Sequence, residues 1–516
     1  MRGLSNEKSR IETRNSQQGV ILYLIPSFLL GALTVLGFAP FYLFPVPVIT
    51  IACLLYFWRK SETPLQAALL GFCFGMGMFG AGVTWIYISL HEFGAVPIPI
   101  AVLLLLILCS YLSLYVTVTG WVVRKLQFEA PLVWVLFVSS LWTLSEWLRG
   151  VVSFFGFPWL TIGYSQVPSS PLAGYSAVTG VYGVSLILIL SAAFISLLFE
   201  KKFRSWRNIL FLPVIWIIGL GLQFVNWTEP QGEPVSVSLL QGNISQEMKW
   251  RPEHVIQTMD TYAKLALASN SRLIIAPEIS LPLARDKVSA NYLKQISAHA
   301  KQNNGDILIG MIETEGNSGD YYNSMFSFGT SSEQTYRKFH LLPFGEFIPL
   351  KPLFGWIINI LKIPLTDFSR GELNQKPMSL AGQSVAINIC YEDAFGEELI
   401  YQLPQATLLA NVSNDAWFGR SIGPHQHLQI SQMRALETGR YMLRATNTGV
   451  SAIINERGVV LQQADVFKAT TLNGLVQGYT GATPYVRFGN SLVLGFVWLS
   501  LFICLIQIFR GRRKTL

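Results

Sequence analysis

Long blocks of apolar residues fill the chain up to about residue 225 and return after about residue 488, and the stretch between them mixes apolar and polar positions. A helix that crosses a bilayer needs about 20 apolar residues in succession. We therefore predict eight membrane spans, of which the second is short and contains prolines. They occupy residues 20–38, 42–58, 65–90, 97–123, 131–147, 172–199, 209–225 and 488–509.

This pattern divides the chain into a tail at residues 1–19, seven spans at 20–225, a large insert at 226–487, a last span at 488–509 and a basic tail at 510–516. With 13% charged and 51% hydrophobic residues, the composition is typical of a membrane protein. The first span is not interpreted as a signal peptide, because it lacks a small-residue cleavage site and further spans follow it.

Lysine and arginine cluster beside alternate ends of the predicted spans, at residues 2–14, 59–60, 124–125, 201–207 and 510–514. The intervening loops at 39–41, 91–96 and 151–170 contain neither residue. Because basic residues are retained on the cytoplasmic side, we expect both termini inside the cell and the insert outside. This distribution accounts for the net charge of +8 without nucleic acid as a partner.

The insert alternates strand-like and helix-like segments, which predicts an α/β domain with a central sheet. Helices are expected at 252–268, 289–302 and 425–443, and a hairpin-like region at 450–463. Strands are expected at 235–240, 273–276, 306–312, 322–328, 335–338, 384–390 and 407–412.

Three of these strands end on a residue that can do chemistry: Glu278, Lys338 and Cys390. A carboxylate can take the proton of a thiol, and an ammonium can stabilise the oxyanion that forms when the thiolate attacks a carbonyl. Each residue also has an ordinary interpretation. Cys390 could be a small core hydrophobe, Glu278 a surface carboxylate and Lys338 a solvated strand end.

Cys390 is the single cysteine of the insert, since the other four lie in predicted spans. Structural cysteines outside the cytoplasm usually pair, and Cys390 has no second cysteine in its own domain. The thiol is therefore either buried and inert or kept for chemistry, and the neighbouring carboxylates favour chemistry.

The order Glu278, Lys338, Cys390 resembles the nitrilase superfamily, and the arrangement of an insert between spans resembles the apolipoprotein N-acyltransferase family of the bacterial envelope. The resemblance covers almost the whole chain beyond the first fifteen or so residues. The strings that carry it are Gln-Gly-Asn at 241–243, Ala-Pro-Glu at 276–278, Arg-Lys at 337–338, Pro-Phe-Gly-Glu-Phe-Ile-Pro at 343–349, Cys-Tyr-Glu at 390–392, Asn-Asp-Ala-Trp-Phe-Gly at 414–419 and Gly-Phe-Pro-Trp at 156–159.

The resemblance implies a multi-pass α-helical membrane domain plus an α/β extracytoplasmic domain of the nitrilase-like α-β-β-α sandwich type. It also implies the bacterial inner membrane as location, with the insert in the periplasm. The expected reaction moves the sn-1 acyl chain of a phospholipid, typically phosphatidylethanolamine, to the amine of a lipoprotein's diacylglyceryl cysteine.

In the mechanism implied by the resemblance, Glu278 is the base, Cys390 carries a thioester, and Lys338 with the Tyr391 N–H binds the oxyanion. The sequence contains no metal cluster, phosphate-binding glycine motif or nucleotide fingerprint, so we expect no metal and no cofactor. Supporting or substrate-binding roles are expected for Glu346, Tyr391, Glu392, Trp250, Trp417 and Trp356.

The apolar segment at 353–363 is too short to span a membrane. It is either a buried core helix or an interfacial segment whose Trp356 and Ile357 enter the lipid surface as a lid. Trp417 and Phe418 could serve in the same way.

Two other polar pairs stay open to interpretation. His425 and His427 invite a metal interpretation, but residues two apart do not share a helix face. Glu146 and Arg149, near the outer end of span five, are either functional or an ion pair at the interface.

Two other classes of protein remain possible at this point. A membrane-tethered amidase or nitrile hydrolase would use the same three residues with water as acceptor, but would not need eight spans. A transporter or receptor with an external binding domain is disfavoured because the spans contain almost no charge that could form a pathway.

Overall fold

The computed structural model describes residues 23–126, 128, 130–151, 156–200, 206–316, 319–349, 352 and 367–514. Its first part is a bundle of apolar helices, and a further helix closes the chain. The helices are Tyr23–Gly37 (α1), Pro45–Lys60 (α2), Pro64–Gly82 (α3), Ile98–Leu126 (α4), Pro131–Val151 (α5), Ser176–Leu198 (α6), Trp206–Leu222 (α7) and, after the insert, Ser491–Lys514 (α11).

Among the described residues, five helical segments are long and apolar enough to cross a membrane: Pro64–Gly82, Ile98–Leu126, Pro131–Val151, Pro171–Leu198 and Ser491–Ile508. Shorter apolar helices cover Tyr23–Gly37 and Leu210–Leu222. These helices lie where the hydrophobic blocks predict spans and agree with a multi-pass membrane domain.

The predicted third span is too long. It extends to residue 90, but α3 ends at Gly82, and two short helical segments, Trp85–Ile88 and Ser89–Phe93, follow it. Glycines near the end of α3 weaken the helix. Trp85 then turns towards the insert, where its indole Nε1 donates to Gln426 Oε1 at 3.2 Å.

The insert contains two six-stranded sheets. The first has the order β12-β1-β2-β3-β4-β5 and the second β11-β10-β9-β8-β7-β6. Strands β1, β2 and β3 run parallel, as do β7, β8 and β9, and the other neighbours are antiparallel. The strands are Glu229–Gln241 (β1), Leu273–Ile275 (β2), Asp306–Glu315 (β3), Asp320–Gly329 (β4), Thr335–Arg337 (β5), Met378–Leu380 (β6), Gln383–Ile389 (β7), Leu408–Ser413 (β8), Met442–Thr446 (β9), Ala452–Ile454 (β10), Val460–Gln463 (β11) and Thr470–Thr480 (β12).

The two sheets pack face to face because alternate residues of each strand are apolar and point into one shared core. In β7, Val385, Ile387 and Ile389 enter this core, and Val237 and Leu239 of β1 meet them from the other sheet. The opposite face of each sheet is covered by helices, Pro252–Leu267 (α8) and Ala290–Gln302 (α9) on the first sheet and Gly423–Thr438 (α10) on the second. The layers are therefore α-β-β-α, which confirms the expected fold class.

The predicted helix at 425–443 is wrong at its end. Gly439, with φ of +64°, closes α10 after Thr438, and Met442–Thr446 is a strand of the second sheet. A left-handed glycine is a common helix terminator. A short apolar run cannot be assigned to helix or strand by periodicity alone. Strands β6 and β12 were also not predicted.

Candidate active site

Cys390 lies directly after β7, at the carboxyl end of the parallel part of the second sheet. Its φ is +53°, a left-handed conformation that is strained for a residue with a side chain. A 3-10 helix, Cys390–Ala394, begins at this residue. The strand therefore turns sharply at Cys390, a residue that is mostly buried but keeps some exposed surface.

Glu278 comes from the first sheet, three residues beyond the end of β2. Its Oε2 accepts the N–H of Asn414 at 3.1 Å, immediately after β8. Gly310 of β3 lies against this turn, and a Cβ at Gly310 would collide with the main chain of 277–279. The carboxylate is buried and spans the gap between the two sheets.

Lys338 follows β5, and its ammonium lies between two carboxylates. Nζ is 2.8 Å from Glu346 Oε2 and 3.3 Å from Glu278 Oε1. Burial alone would lower the pKa of Lys338, but the charges of Glu346 and Glu278 raise it well above its ordinary value. The lysine is therefore a fixed cation at this site.

The Cys390 thiol belongs to the same group of charges. Burial, followed by the charge of Glu278, raises the pKa of Cys390, and Lys338 opposes the rise. The thiol is consequently protonated at rest and needs a base before it can attack. The structure thus places Glu278, Lys338 and Glu346 in direct contact, and the charges of Glu278 and Lys338 both act on the Cys390 thiol.

The Glu392 carboxylate accepts hydrogen bonds from two neighbouring segments. Its side chain accepts the main-chain N–H groups of Phe339 and Ile389, each at 2.6 Å, and the hydroxyl of Tyr336 at 3.0 Å. It therefore joins the segment after Lys338 to the strand end before Cys390. Burial raises the pKa of Glu392 to about 7.

Tyr391 links the site to the membrane domain. Its hydroxyl donates to the carbonyl oxygen of Gly156 at 2.7 Å, and its ring stacks on Trp159 with centroids 6.3 Å apart. Trp159 in turn donates its indole N–H to Gln426 at 2.7 Å. Gln426 is the same acceptor that Trp85 uses.

Two of the other predicted aromatic residues are partly exposed. Trp250 is 46% exposed, directly after the short helix Gln246–Lys249. Trp417 is 39% exposed, and its carbonyl accepts the Ser89 hydroxyl of the membrane domain at 2.7 Å. Trp356 and the segment at 353–363 lie outside the described residues.

Several buried residues of the site were missed because a single polar residue in a strand or loop carries no sequence signal. Asn323 of β4 donates to Glu278 Oε1 at 2.7 Å and to Glu346 Oε1 at 2.9 Å. Lys249 donates to the main-chain carbonyl of Glu278 at 3.2 Å, and burial lowers the pKa of Lys249 to about 8.

His427 is paired with carboxylates through both ring nitrogens, with Nδ1 2.9 Å from Asp415 and Nε2 3.0 Å from Asp393. His425 lies outside these contacts and is half-buried. Within the part of the chain that the structure describes, no group of three or more His, Cys, Asp or Glu is arranged to hold a metal ion.

Glu146 and Arg149 both brace the loop that precedes residue 162. Arg149 donates to the carbonyls of Phe157 at 2.9 Å and Trp159 at 2.6 Å, and Glu146 accepts the N–H of Ile162 at 2.9 Å. The pair therefore holds in place the loop that carries Gly156 and Trp159.

A sandwich of this kind, with a thiol, a carboxylate and a lysine at its strand ends, defines a nitrilase-type domain, here joined to a helical membrane domain. Two families match the chain: "Carbon-nitrogen hydrolase" over residues 236–485 and "Apolipoprotein N-acyltransferase N-terminal domain" over residues 30–194. The chain belongs to the apolipoprotein N-acyltransferase family, which confirms the resemblance seen in the sequence.

Individual relatives extend over nearly the full length. An apolipoprotein N-acyltransferase of Nitrosomonas europaea is 62% identical over 96% of this chain and 99% of that protein. One of Chromobacterium violaceum is 41% identical over 94% of this chain and 93% of that protein. Among solved structures, Saccharomyces cerevisiae Nit3, a member of branch 10 of the nitrilase superfamily, matches 49% of this chain and 93% of its own at 14% identity, with a TM-score of 0.37.

Proposed function

We propose that this protein transfers the sn-1 acyl chain of a phospholipid to the α-amino group of the diacylglyceryl cysteine at the N-terminus of lipoproteins. The observation that supports the proposal is the contact of Lys338 with Glu278 at 3.3 Å, whose charges act on the thiol of Cys390. A thiol that acts on lipids must lie within reach of the bilayer. The next residue, Tyr391, donates a hydrogen bond to the carbonyl of Gly156 in the membrane domain.

In the first half-reaction, Glu278 takes the Sγ proton of Cys390 as the sulfur attacks the ester carbonyl of the phospholipid. The tetrahedral intermediate then collapses, the C–O bond of the ester breaks, and Glu278 returns the proton to the leaving lysophospholipid oxygen. A thioester on Cys390 remains.

In the second half-reaction, the amine of the lipoprotein attacks the thioester carbonyl and Glu278 accepts its proton. The C–S bond breaks, an amide forms, and the proton returns to Sγ. Each half-reaction begins and ends with a neutral thiol or thioester, so the net charge of the site is restored after every turnover.

Lys338 and the Tyr391 N–H bind the oxyanion in both steps. Glu346 keeps the lysine charged and oriented. Asn323 donates to both Glu278 and Glu346 and so fixes the two carboxylates relative to each other. Moving the thiol proton to Glu278 leaves the total charge around Lys338 unchanged. That transfer therefore avoids burying an additional charge, which would be costly.

We further propose that both termini are cytoplasmic and that the sandwich domain lies in the periplasm, on the basis of the basic residues beside alternate spans. Phosphatidylethanolamine is the proposed donor, and Trp250, Trp417 and Trp356 are proposed to contact the substrates. The proposed domain boundaries remain 1–19, 20–225, 226–487, 488–509 and 510–516.

The test uses purified protein, phosphatidylethanolamine labelled in the sn-1 chain, and a synthetic peptide that begins with diacylglyceryl cysteine. The proposal predicts labelled amide on the peptide together with lysophospholipid, and loss of both with Cys390→Ala. Labelled free fatty acid as the main product, at the same rate with or without peptide, would instead indicate a hydrolase.

A further inference from the structure

A buried charge cluster lies next to the turn at Cys390. It is formed by Asp393, Asp415, His427 and Arg444, and each of these residues is at most 1% exposed. Its members come from four different elements: the 3-10 helix that begins at Cys390, a second 3-10 helix at Asp415–Phe418, helix α10 and strand β9. Arg444 lies 2.9 Å from Asp415 and 3.4 Å from Asp393. With two cations and two anions the cluster is electrically balanced, which a buried group of charges requires.

His427 is the second cation of this cluster. Both of its ring nitrogens face carboxylate oxygens. Since an ionised carboxylate can accept hydrogen bonds but cannot donate them, both nitrogens must carry hydrogen. Although burial and Arg444 oppose protonation, Asp393 and Asp415 raise the pKa of His427 to about 9. An imidazolium is therefore present at neutral pH.

The imidazolium also reaches the Cys390–Tyr391 peptide. His427 Nε2 lies 3.2 Å from the carbonyl oxygen of Cys390, and Asn411 Nδ2 donates to the same oxygen at 3.1 Å. A trans peptide is planar, so holding its carbonyl oxygen also fixes the direction of its N–H. That N–H belongs to Tyr391, in the first turn of a 3-10 helix, where main-chain N–H groups have no acceptor within the helix.

Two aromatic rings cover the imidazolium and exclude water from it. The ring centroid of Trp159, in the membrane domain, lies 5.5 Å from that of His427, and the ring centroid of Phe418 lies 6.1 Å from it. A hydrogen bond to a charged donor in such a dry setting polarises the peptide strongly. A polarised peptide is a better donor through its N–H group.

We propose that His427 is a positioning residue, which fixes and polarises the Cys390–Tyr391 peptide from behind so that the Tyr391 N–H binds the oxyanion. The inference rests on the proposed function, since it needs an oxyanion at Cys390. This role of His427 also accounts for the φ of +53° at Cys390. A strained backbone conformation persists only where surrounding contacts hold it in place.

The experiment compares thioester formation in three variants of the full-length protein. His427→Gln removes the cation, and the double variant His427→Gln with Asp393→Asn removes a cation and an anion, so the cluster stays balanced. Thr438→Val is the matched control. It lies buried on the same helix, and its hydroxyl contacts carbonyls of that helix, at 2.8 Å to Arg434 and 3.4 Å to Ala435.

The decisive readout is the carbonyl stretching frequency of the thioester, measured by infrared difference spectroscopy with a ¹³C-labelled acyl chain. In the wild type and in Thr438→Val we expect the band below that of a free thioester, because an oxyanion donor weakens the carbonyl bond. In both His427 variants the band should move towards the free value. Acylation should slow about fivefold, with the KM for phospholipid unchanged.

A folded double variant whose band and acylation rate equal those of the wild type would overturn the inference and leave the proposed function intact. If the wild-type protein formed no thioester, the proposed function itself would be wrong. The two failures are therefore distinguishable.

Discussion

The hydroxyl of Tyr391 donates a 2.7 Å hydrogen bond to the carbonyl oxygen of Gly156. The residue that follows Cys390 is thus attached to a loop of the membrane domain, and Arg149 anchors that loop in turn through the carbonyls of Phe157 and Trp159. The geometry at the thiol therefore depends on both domains, which suits an enzyme whose donor arrives from the bilayer.

Replacing Tyr391 with phenylalanine tests this attachment. The Gly156 carbonyl would lose its donor, at a cost of about 1 kcal/mol or more, and thioester formation on Cys390 should slow roughly fivefold. The rate is measured by quenched-flow mass spectrometry of the protein.

The control for this variant is Tyr292→Phe, which removes a comparable hydroxyl bond, to the Met259 carbonyl at 3.0 Å, away from the site. Equal slowing in both variants would show that the Tyr391 attachment has no special role.

Glu346→Gln should make it easier for Lys338, the cation proposed to bind the oxyanion, to lose its proton. Without one of its two carboxylates, the pKa of Lys338 falls, because Glu346 is the largest of the charges that raise it. The alkaline limb of the pH–rate profile for acylation should move to lower pH, and the maximal rate should drop roughly tenfold.

A suitable control is Glu313→Gln, which removes the partner of the adjacent Arg337 at 2.8 Å on a partly exposed face. That variant should keep the wild-type pH profile. If Glu346→Gln kept it as well, the assigned role of Glu346 would be wrong.

The buried Lys249 should make the free energy of unfolding depend on pH. Burial lowers its pKa to about 8 in the folded protein, whereas an unfolded lysine titrates at about 10.4. Between these values the unfolded state binds more protons, so stability should rise with pH, by up to about 3 kcal/mol. Thermal unfolding in detergent at pH 7 to 10 measures this slope.

Lys249→Met should flatten that slope, and Lys294→Met, at an exposed position on α9, should not. Equal slopes in the wild type and Lys249→Met would mean that Lys249 is already neutral or well solvated.

The proposed orientation can be tested with a new cysteine at Leu475, which is 65% exposed on β12. In a Cys390→Ala background, Leu475→Cys should react with a membrane-impermeant maleimide in intact spheroplasts. Labelling only after lysis would place the sandwich domain in the cytoplasm and contradict the assignment.

The positions of Glu278, Lys338 and Cys390 at strand ends were predictable because each follows a strand in a recognisable string, and their catalytic roles stay a proposal. Cys390 and Glu278 follow apolar runs, and strands that end at one edge of a sheet bring their last residues together. Seven of the eight hydrophobic blocks correspond to apolar helices of the described residues, and the second, short and proline-containing block stays a prediction. The end of α3 at Gly82 depends on how Trp85 meets Gln426.

Other parts could not be predicted from one sequence. The strand at Met442–Thr446 has the same apolar pattern as the end of a helix, and only the left-handed Gly439 separates them. Asn323, Lys249 and His427 are single polar residues whose partners lie far away in the chain. Their roles depend on distances that local patterns do not contain.

The central claim is that Cys390 carries an acyl chain during turnover. The direct measurement is the mass of the Cys390 peptide after purified protein is incubated with a defined phospholipid and quenched in acid, without any acceptor present. We predict an added acyl mass that hydroxylamine removes, that is absent in Cys390→Ala and that is nearly absent in Glu278→Gln. An unmodified Cys390 peptide from protein that still acylates the lipopeptide would contradict the account.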